Sequence, residues 1–574
     1  MVGALAVLLA LGSAASSLVD PGRVPAKRSF PTGNVIFFHP DGTGLNHWTA
    51  ARLYFKGPDG LLNWDRLPYL AVYRGHMNNV LTGTSNGGAT THAFGYKVDG
   101  RGSFGKDGDR AIKALSGYPG SIMREAANAG IPVGVVNDGH IGEPGTGAFL
   151  AEVDNRNNWQ EITRQMIMGR SGTNDTAPWV IMGGGEADTR PRGATLLHRN
   201  VNQERGQPVN SQTSLRTDDL DLEAYWNRQG SGNTSNDPLQ GDDWIVLKTR
   251  ADFERLRRAL ESKPSYAPRV LGIFAFQDLF NDRSEEDLIQ RGFVRPNVQP
   301  GQVGPKNESR IVLWGDYDPS RPGYNPPTFA EMVDVAITIL DRAARRQTRP
   351  ENRRFFLVAE QEATENFGNN NAVGMLHAMK DTDDAIGIAL AYLARNPNTL
   401  ILTAADSDAG GMQVVTPNKA GVTPPTNVVA AGQAPDNAGN VNVNPAAGAP
   451  AVNVPVDGVE DRGTPLFLAA PDQFGRRMQF GVVWTGTPDV PGGILSRAAG
   501  LNASMLNSYF YSRFDNVDVY RLMYATLFGR LLDYPASQAP ARVVSRVMCK
   551  SLCTGGIPLL KHLLQHLLHL REPL

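Results

Sequence analysis

Acidic side chains follow three apolar segments of this chain, each at the point where the segment ends. Asp41 follows Val-Ile-Phe-Phe-His-Pro, Glu360 follows Phe-Phe-Leu-Val-Ala, and Asp406 follows Leu-Ile-Leu-Thr-Ala-Ala. Three more carboxylates come close behind: Glu362, Glu365 and Asp408. If the segments are parallel strands of one sheet, their carboxyl ends share an edge. Converging like charges repel unless a cation compensates them, so the pattern predicts a divalent metal site.

A second segment carries the residue types that bind an anion. It runs from Leu81 to His92 as Leu-Thr-Gly-Thr-Ser-Asn-Gly-Gly-Ala-Thr-Thr-His. Small residues let a ligand approach the backbone, and the N–H groups at a helix start favour phosphate. Taken alone, such a run is more often a loop and a helix cap. Beside the carboxylates, it indicates transfer of an anionic group from a metal site.

The elements that must position these residues alternate along the chain. Predicted strands are Asn34–His39, Val133–Val136, Trp179–Met182, Val270–Phe274, Phe355–Ala359 and Thr399–Thr403. Predicted helices are Ser121–Ala129, Ala251–Glu261, Thr328–Arg346 and Ala372–Arg395. Short apolar strands alternating with helices predict an α/β fold, in which a central, mostly parallel sheet is sandwiched by helices.

Composition excludes several classes of protein. The 574 residues include 56 Lys+Arg and 57 Asp+Glu, which gives a net charge of −1. This balance argues against a nucleic-acid binder and against an acidic disordered chain. Beyond the N-terminus, no stretch reaches the ~20 apolar residues that cross a bilayer, so no transmembrane segment is expected.

The two ends and two internal segments differ from the rest. Residues 1–16, an apolar run followed by small residues, predict a signal peptide and a secreted or periplasmic protein. The alternative is an ordinary buried N-terminus, because no Lys or Arg precedes Arg23. Polar residues 203–241 predict a surface insertion, and Pro/Ala/Asn-rich residues 414–464 predict a second one. We expect residues 30–413 and 465–535 to form the catalytic domain.

The remaining residues, 536–574, form a C-terminal extension of different composition. A Leu/His-rich amphipathic segment in it favours a docking helix or a terminal extension. Cys549, Cys553, His562 and His566 form an alternative zinc site, although their spacing is shorter than in common zinc fingers.

Landmarks from about Asn34 to Phe528 resemble those of the alkaline phosphatase family, in the same order. Among them are Asp-Gly-Thr-Gly at Asp41, Gly-Tyr-Lys at Gly95 and the block ending in Asp-Asn-Arg at Arg156. The resemblance implies that Asp41 is the bridging metal ligand, that Ser85 is the phosphorylated serine, and that Arg156 clamps the phosphate. It also implies that Glu360 is the magnesium glutamate. Asp406 is similar to the aspartate of the family's Thr-Ala-Asp-His motif.

The resemblance extends to residues around these ligands. Thr84 precedes the serine where the family has Asp or Glu, and the hydroxyl that binds magnesium falls near Gly145 or Thr146. Glu143 falls at a neighbouring position. Asp408 adds a further carboxylate beside Asp406, and we expect it among the metal ligands.

The departures concern the family's zinc ligands. Its three zinc histidines fall on Ser407, Asn369 (or Gly368) and Trp484, and its first zinc aspartate becomes Glu365. Zinc favours nitrogen and sulfur, whereas carboxylates, hydroxyls and amides favour Mg²⁺, Ca²⁺ or Mn²⁺. Either harder cations have replaced zinc, or the metal pair has been lost. Three histidines near the motifs could supply nitrogen from new directions, although lone histidines are more often structural: His39, His92 and His140.

The function implied is an exported, metal-dependent phosphatase that hydrolyses phosphate monoesters. Ser85, activated by cations held by Asp41, Glu360 and Asp406, would attack phosphorus while Arg156 grips two oxygens. Divalent metal ions are the expected cofactors, Mg²⁺ first, with Zn²⁺, Ca²⁺ and Mn²⁺ as alternatives. The expected partner is a small phosphate ester, and the family is commonly a homodimer. The alternatives are a catalytically impaired relative that binds phosphate or another ligand, and a phosphodiesterase of the same superfamily.

Overall fold

The computed structural model describes most of the chain between Ser29 and Tyr534. The described residues are 29–200, 204–208, 210–230, 243–280, 326–367, 372–415, 456–457, 467–484 and 489–534. The predicted signal peptide, the C-terminal extension with its Cys/His alternative and nearly all of insertion 414–464 lie outside them, as do Gly368 and Asn369. Val24–Asp533 forms one unit, and a second, Met1–Arg23 with Tyr534–Leu574, lies almost entirely outside the described residues.

Ten strands form one central sheet. Its order is β16-β2-β15-β10-β1-β9-β5-β6-β8-β7. The strands are β1 (Asn34–Pro40), β2 (Tyr69–Arg74), β5 (Val133–His140), β6 (Val180–Gly184), β7 (Trp244–Leu247), β8 (Arg269–Ile273), β9 (Phe356–Gln361), β10 (Thr399–Thr403), β15 (Leu495–Gly500) and β16 (Arg513–Asp515). Every neighbouring pair is parallel except those of β15, which is antiparallel to both β10 and β2. The mostly parallel α/β fold predicted from the sequence is confirmed.

Smaller sheets and twelve α-helices complete the described part. The short strands are β3 (Lys106–Asp107), β4 (Arg110–Ala111), β11 (Gln413–Val415), β12 (Val456–Asp457), β13 (Phe467–Leu468) and β14 (Gln479–Val483). The helices are α1 (Leu45–Lys56), α2 (Ser85–Phe94), α3 (Ile122–Asn128), α4 (Pro144–Gly147), α5 (Trp159–Met168), α6 (Leu222–Arg228), α7 (Arg250–Ser262), α8 (Phe329–Arg345), α9 (Ala363–Asn366), α10 (Ala372–Arg395), α11 (Met505–Ser508) and α12 (Asn516–Phe528).

Strand β1 is buried on both faces, which is why it is apolar nearly throughout. Its side chains alternate: Val35 and Phe37 belong to the core on one face, and Ile36 and Phe38 to the core on the other. The first core is shared with α2 and α12, and the second with α8 and α10. This two-sided burial is typical of parallel sheets.

Capping explains where the longer helices begin. Thr328 accepts a hydrogen bond from the Glu331 backbone N–H, and the Glu331 side chain returns to the Thr328 backbone, so α8 begins with a capping box. Thr249 and Asp252 form the same arrangement at the start of α7. Each cap satisfies N–H groups that a helix end otherwise leaves unpaired.

The surface insertion predicted for residues 203–241 is corrected in part. Asp221 caps α6, whose Leu222 and Trp226 are fully buried in the core beside Trp244 of β7. The segment packs on the core despite its polar composition, because a buried indole contributes a large apolar contact area. Among the described residues, no helix is long and apolar enough to span a membrane.

Candidate active site

Three adjacent strands bring the predicted carboxylates to one edge of the sheet. β1 lies between β9 and β10, and His39 of β1 is in register with Glu360 of β9. Asp41 directly follows β1, and Asp406 lies three residues beyond the end of β10. All three carboxylates are at most 1% exposed. The convergence predicted from the strand ends is therefore present in the fold.

Asp41 lies at the centre of this edge. Its Oδ1 accepts a hydrogen bond from the Gly42 N–H at 3.0 Å, whereas its Oδ2 is buried without a hydrogen-bond partner. Burial, followed by the neighbouring carboxylates of Asp406 and Glu365, raises the pKa of Asp41 well above its ordinary value. The uncompensated site thus disfavours the charged form that a metal ligand must adopt.

Two groups of side chains offer ligand atoms that lie within 4.8 Å of one another. In the described part of the chain these groups are His39, Asp41 and Asp406, and Asp41, Glu360 and Glu362. Asp41 belongs to both. Neither group includes Glu365 or Asp408, which we had expected among the ligands.

Three neighbouring groups hold Glu360 in place. Asn137 Nδ2 donates to its Oε2, Thr146 Oγ1 lies 3.1 Å from the same oxygen, and Gly145 N–H donates to Oε1 at 2.9 Å. Gly145 and Thr146 both lie in the short helix α4. Of the two positions that the resemblance suggests for a magnesium-binding hydroxyl, Thr146 has a hydroxyl group, and this group faces Glu360.

Ser85 is the first residue of α2 and lies beside the carboxylates. Its Oγ donates to Glu365 Oε2 at 3.3 Å, and the preceding Thr84 caps the helix by accepting from the Gly87 N–H. Burial is the main cause that raises the pKa of Glu365. The serine hydroxyl thus has a proton acceptor next to it, and Thr84 serves the helix end.

Glycine permits the close approach of α2 to the strand ends. A Cβ atom on Gly88 would lie 2.5 Å from Asp406 Cβ, and one on Gly83 would lie 2.1 Å from the Asp406 carbonyl oxygen. A side chain at either position would push Asp406 away from the start of α2.

Arg156 lies in the segment between α4 and α5 and keeps 32% of its side chain exposed. Its Nη2 donates to Glu143 Oε2 at 3.4 Å. Burial alone would lower the pKa of Arg156, but the carboxylates of Glu143 and Glu365 outweigh it and raise the pKa. A partly exposed guanidinium beside buried acids can meet an incoming anion.

The other predicted residues occupy the margin. Ser407 Oγ donates to Asp406 Oδ1 at 3.4 Å. Asp408 Oδ1 lies 3.6 Å from His47 Nδ1, and burial raises the pKa of Asp408 to about 7. Asp408 thus points toward α1 rather than into either candidate metal group. Asn369 lies outside the described residues.

Two features near the margin differ from what the sequence indicated. Trp484 is fully buried, and an indole N–H can donate but cannot ligate a metal. Asp489, five residues later, interacts with Glu365, Asp406 and Ser407, and burial raises its pKa to about 8. The resemblance pointed to Trp484, but the residue of this block that lies near the carboxylates is Asp489.

The residues present fit divalent cations. Asp41 Oδ2, Asp406 Oδ2 and Glu362 Oε2 are buried acceptors without hydrogen-bond partners, and buried polar groups are rarely left so. A cation would supply the missing partner and remove the repulsion among these carboxylates. Oxygen-rich surroundings suit hard cations such as Mg²⁺ and Ca²⁺.

Sheet and site together define an α/β protein with a serine beside a candidate metal centre. A family model described as alkaline phosphatase matches residues 32–434. The chain belongs to the alkaline phosphatase family, and family and fold together support a phosphatase-type hydrolase.

Relatives confirm this assignment at low identity. The chain is 23% identical over 401 residues to alkaline phosphatase of Escherichia coli K12, covering 68% of this chain and 72% of that protein. It is 24% identical over 392 residues to the tissue-nonspecific isozyme of Mus musculus, covering 65% and 62%.

Solved structures show the same fold. Alkaline phosphatase of Thermus thermophilus aligns with a TM-score of 0.52 at 17% identity, covering 87% of this chain and 93% of that one. The enzyme of the Antarctic bacterium TAB5 aligns with a TM-score of 0.50 at 17% identity, covering 87% and 99%.

Proposed function

We propose that this chain is an exported, metal-dependent phosphatase that hydrolyses phosphate monoesters through a phosphoserine intermediate. The observation that carries the proposal is the position of Ser85 Oγ. It lies at the N-terminus of a buried helix, 3.3 Å from Glu365, beside two candidate metal groups that share Asp41. A helix N-terminus favours the negative charge of a phosphate at this point.

The first chemical step joins Ser85 Oγ to phosphorus. Glu365 Oε2, which accepts the Ser85 hydroxyl hydrogen, takes the proton as the Oγ–P bond forms and the ester oxygen departs. Arg156 grips two nonbridging oxygens with its planar fork, and Glu143 holds that guanidinium in place. Arginine suits this role because its donors match the geometry of phosphate.

The second step releases phosphate from the serine. Water attacks phosphorus on the side opposite Ser85, the Oγ–P bond breaks, and Glu365 returns the proton to Oγ. The released phosphate keeps both hydrogens of the water until solvent takes one. Arg156 keeps its hold on the phosphoryl oxygens in both steps, so the donors that bind the substrate also stabilise the charge that develops in the transition state.

The metal ligands are assigned from the same geometry. Asp41, Glu360, Glu362 and Thr146 would hold one cation, Mg²⁺ being the first expectation. Asp41 and Asp406 would hold a second, with Glu365 and Asp489 at its margin and Asp408 further out. When bound, the cations supply positive charge that favours the ionised serine and the departing oxygen.

Export and domain limits belong to the same proposal. We infer export from the apolar run in residues 1–16. The catalytic domain comprises residues 30–413 and 465–535, with 414–464 as an insertion. A homodimer is the assembly that the family suggests.

Hydrolysis of an aryl phosphate tests the proposal. The full chain is stripped of metal and assayed with Mg²⁺, Ca²⁺, Mn²⁺ and Zn²⁺ in turn. We expect turnover with at least one cation, loss of it in Ser85→Ala, and a phosphorylated Ser85 peptide after acid quenching. The exposed Ser508→Ala serves as the matched control. Full turnover by Ser85→Ala would overturn the mechanism.

A second candidate is an impaired relative that binds phosphate without hydrolysing it. It is favoured by Ser407 and Trp484, which the sequence resemblance aligns with zinc histidines of the family. Binding of inorganic phosphate without aryl phosphate turnover under any cation would support it. Faster hydrolysis of a bis-aryl phosphate than of the monoester would instead indicate a phosphodiesterase.

A further inference from the structure

We propose that His39 supplies a nitrogen ligand to a cation held between Asp41 and Asp406. The proposal deepens the metal-dependent function above and rests on it for the presence of a cation. It assigns a role to a side chain outside the sequence block where the family's histidines occur.

Both ring nitrogens of His39 are buried and lack a hydrogen-bond partner. The side chain is 0% exposed. Its Nε2 lies 3.7 Å from Asp41 Oδ1 and 3.9 Å from Asp406 Oδ1. These distances are too long for direct hydrogen bonds. Buried polar atoms are rarely left without a partner, and a cation between the imidazole and the two carboxylates would supply one.

The spacing matches atoms that share one ion. Four tetrahedral ligands at about 2.1 Å from zinc lie about 3.4 Å from one another. The two Nε2–oxygen distances exceed this value by only a few tenths of an ångström. His39 Nε2, Asp41 and Asp406 also form one of the two groups of ligand atoms that lie within 4.8 Å of one another in the described part of the chain.

The other ring nitrogen faces a carboxylate. His39 Nδ1 lies 3.6 Å from Glu360 Oε1, beyond a direct hydrogen bond but with the carboxylate on the side of the ring away from Nε2. A carboxylate on that side favours the tautomer with the proton on Nδ1, which leaves Nε2 free to ligate. A ligating imidazole must be neutral, so a cation and a proton compete for Nε2.

The fold builds a fitted recess for this ring. Phe37 stacks on the ring of His39 with centroids 6.1 Å apart, and His92 packs edge-on at 5.5 Å. A Cβ atom on Gly145 would lie 2.2 Å from His39 Nδ1 and 2.0 Å from Glu360 Oε1. Glycine at this position lets both side chains reach the site.

Two chemically different sites follow. The group that contains Glu360 and Glu362 offers oxygen only, which favours Mg²⁺ or Ca²⁺. The group that contains His39 offers one nitrogen with carboxylates, which favours Zn²⁺ or Co²⁺. The nitrogen that is absent at Ser407 would thus come from β1 instead.

Zinc and cobalt loading of the full chain tests the assignment. Zinc K-edge absorption of the wild-type protein should show imidazole scattering, and His39→Gln should lose it. We expect His39→Gln to weaken Co²⁺ binding roughly tenfold or more, read from the visible spectrum, with Mg²⁺ binding little changed. His377→Gln is the matched control, since the His377 ring packs against Tyr54 and Phe55 rather than against these carboxylates.

The outcomes separate this inference from the proposed function. An oxygen-only zinc shell in an active wild-type enzyme overturns the role of His39 and leaves the phosphatase intact. Imidazole-bound zinc that is lost in His39→Gln, without aryl phosphate turnover, supports the role of His39 and overturns the phosphatase. If His39→Gln fails to fold, the wild-type spectrum together with that of His377→Gln still decides.

Discussion

Arg156 reaches the carboxylate cluster with its guanidinium partly exposed, and Glu143 is its hydrogen-bond partner. In Arg156→Lys the charge remains but the planar pair of donors is lost. We expect kcat/KM for an aryl phosphate to fall about 10–100-fold, because a charged hydrogen bond contributes about 1.5–3 kcal/mol. Steady-state kinetics measure the change. Arg101→Lys, at an exposed pair with Asp99, is the control, and an equal effect there would contradict the assignment.

Among single residues, the sequence predicted best the positions of the carboxylates that lie at strand ends. Asp41, Glu360 and Asp406 could be placed because each directly follows or ends an apolar run whose partners are parallel. Asp489 could not, since it reaches the site from a loop whose path depends on the Asp408–Val490 bridge. Such pairing over a long separation has no local signal in the chain.

The packing of α2 against the strand ends leads to a prediction for one helix. Alanine normally favours a helix over glycine by about 1 kcal/mol, but a Cβ on Gly88 would lie 2.5 Å from Asp406 Cβ. We therefore expect Gly88→Ala to destabilise the protein by about 1–3 kcal/mol and to weaken metal binding. Thermal unfolding and metal content measure both effects.

Gly492 provides the comparison, because a Cβ there would meet nothing within 4 Å. We expect Gly492→Ala to change stability by less than about 0.5 kcal/mol. If the Gly88→Ala protein is as stable and binds as much metal as Gly492→Ala, then α2 can shift without loss of stability or metal binding, and the prediction is wrong.

The contact between α10 and α8 predicts a pH dependence. Asp381 of α10 accepts hydrogen bonds from the Phe329 and Ala330 N–H groups at the start of α8, yet burial raises its pKa from 3.8 to about 7. The folded state then binds a proton that the unfolded state releases above about pH 4. Stability from this group is therefore lost as the pH rises from about 4 to about 7.

Asp381→Asn removes that titration. We expect its unfolding midpoint to fall less steeply between pH 4 and pH 7 than that of the wild type, measured on metal-free samples. Asp219→Asn, which removes an exposed partner of Arg192, should keep the wild-type slope. Parallel curves for the wild type and Asp381→Asn would contradict the protonated state.

The sequence predicted some helices and strands much better than others. The predicted helix Ala372–Arg395 agrees with α10 in both bounds, because its apolar residues recur at helical spacing over many turns. Strands β2 and β15 were missed. Tyr-Leu-Ala-Val-Tyr of β2 is apolar but buries only Ala71 and Tyr73, and Leu-Ser-Arg-Ala-Ala-Gly of β15 lacks a continuous apolar run. The segment containing α6 was misinterpreted because polar neighbours outnumber its buried Trp226.

For the molecule as a whole, metal removal should lower stability. Asp41, Glu360 and Asp406 are buried together, and a cation bound only by the folded state adds about 2.7 kcal/mol at a concentration 100 times its Kd. We expect a chelator to lower the unfolding midpoint by several degrees and Mg²⁺ to restore it. In the double variant Asp41→Asn/Glu360→Gln the response should vanish. An unchanged wild-type midpoint would contradict a bound cation.

The position of β1 in the sheet has a consequence for how the chain acquires its structure. Asn34 Oδ1 accepts a hydrogen bond from the Phe355 N–H across 321 positions of the chain, and the other neighbour, β10, is synthesised later still. At about 5–20 residues per second, a ribosome needs about 16–64 s to make that stretch. During this interval the apolar β1 has neither neighbour, which favours aggregation or shielding by a chaperone. A nascent chain shorter than 406 residues lacks Asp406 and therefore cannot assemble the site.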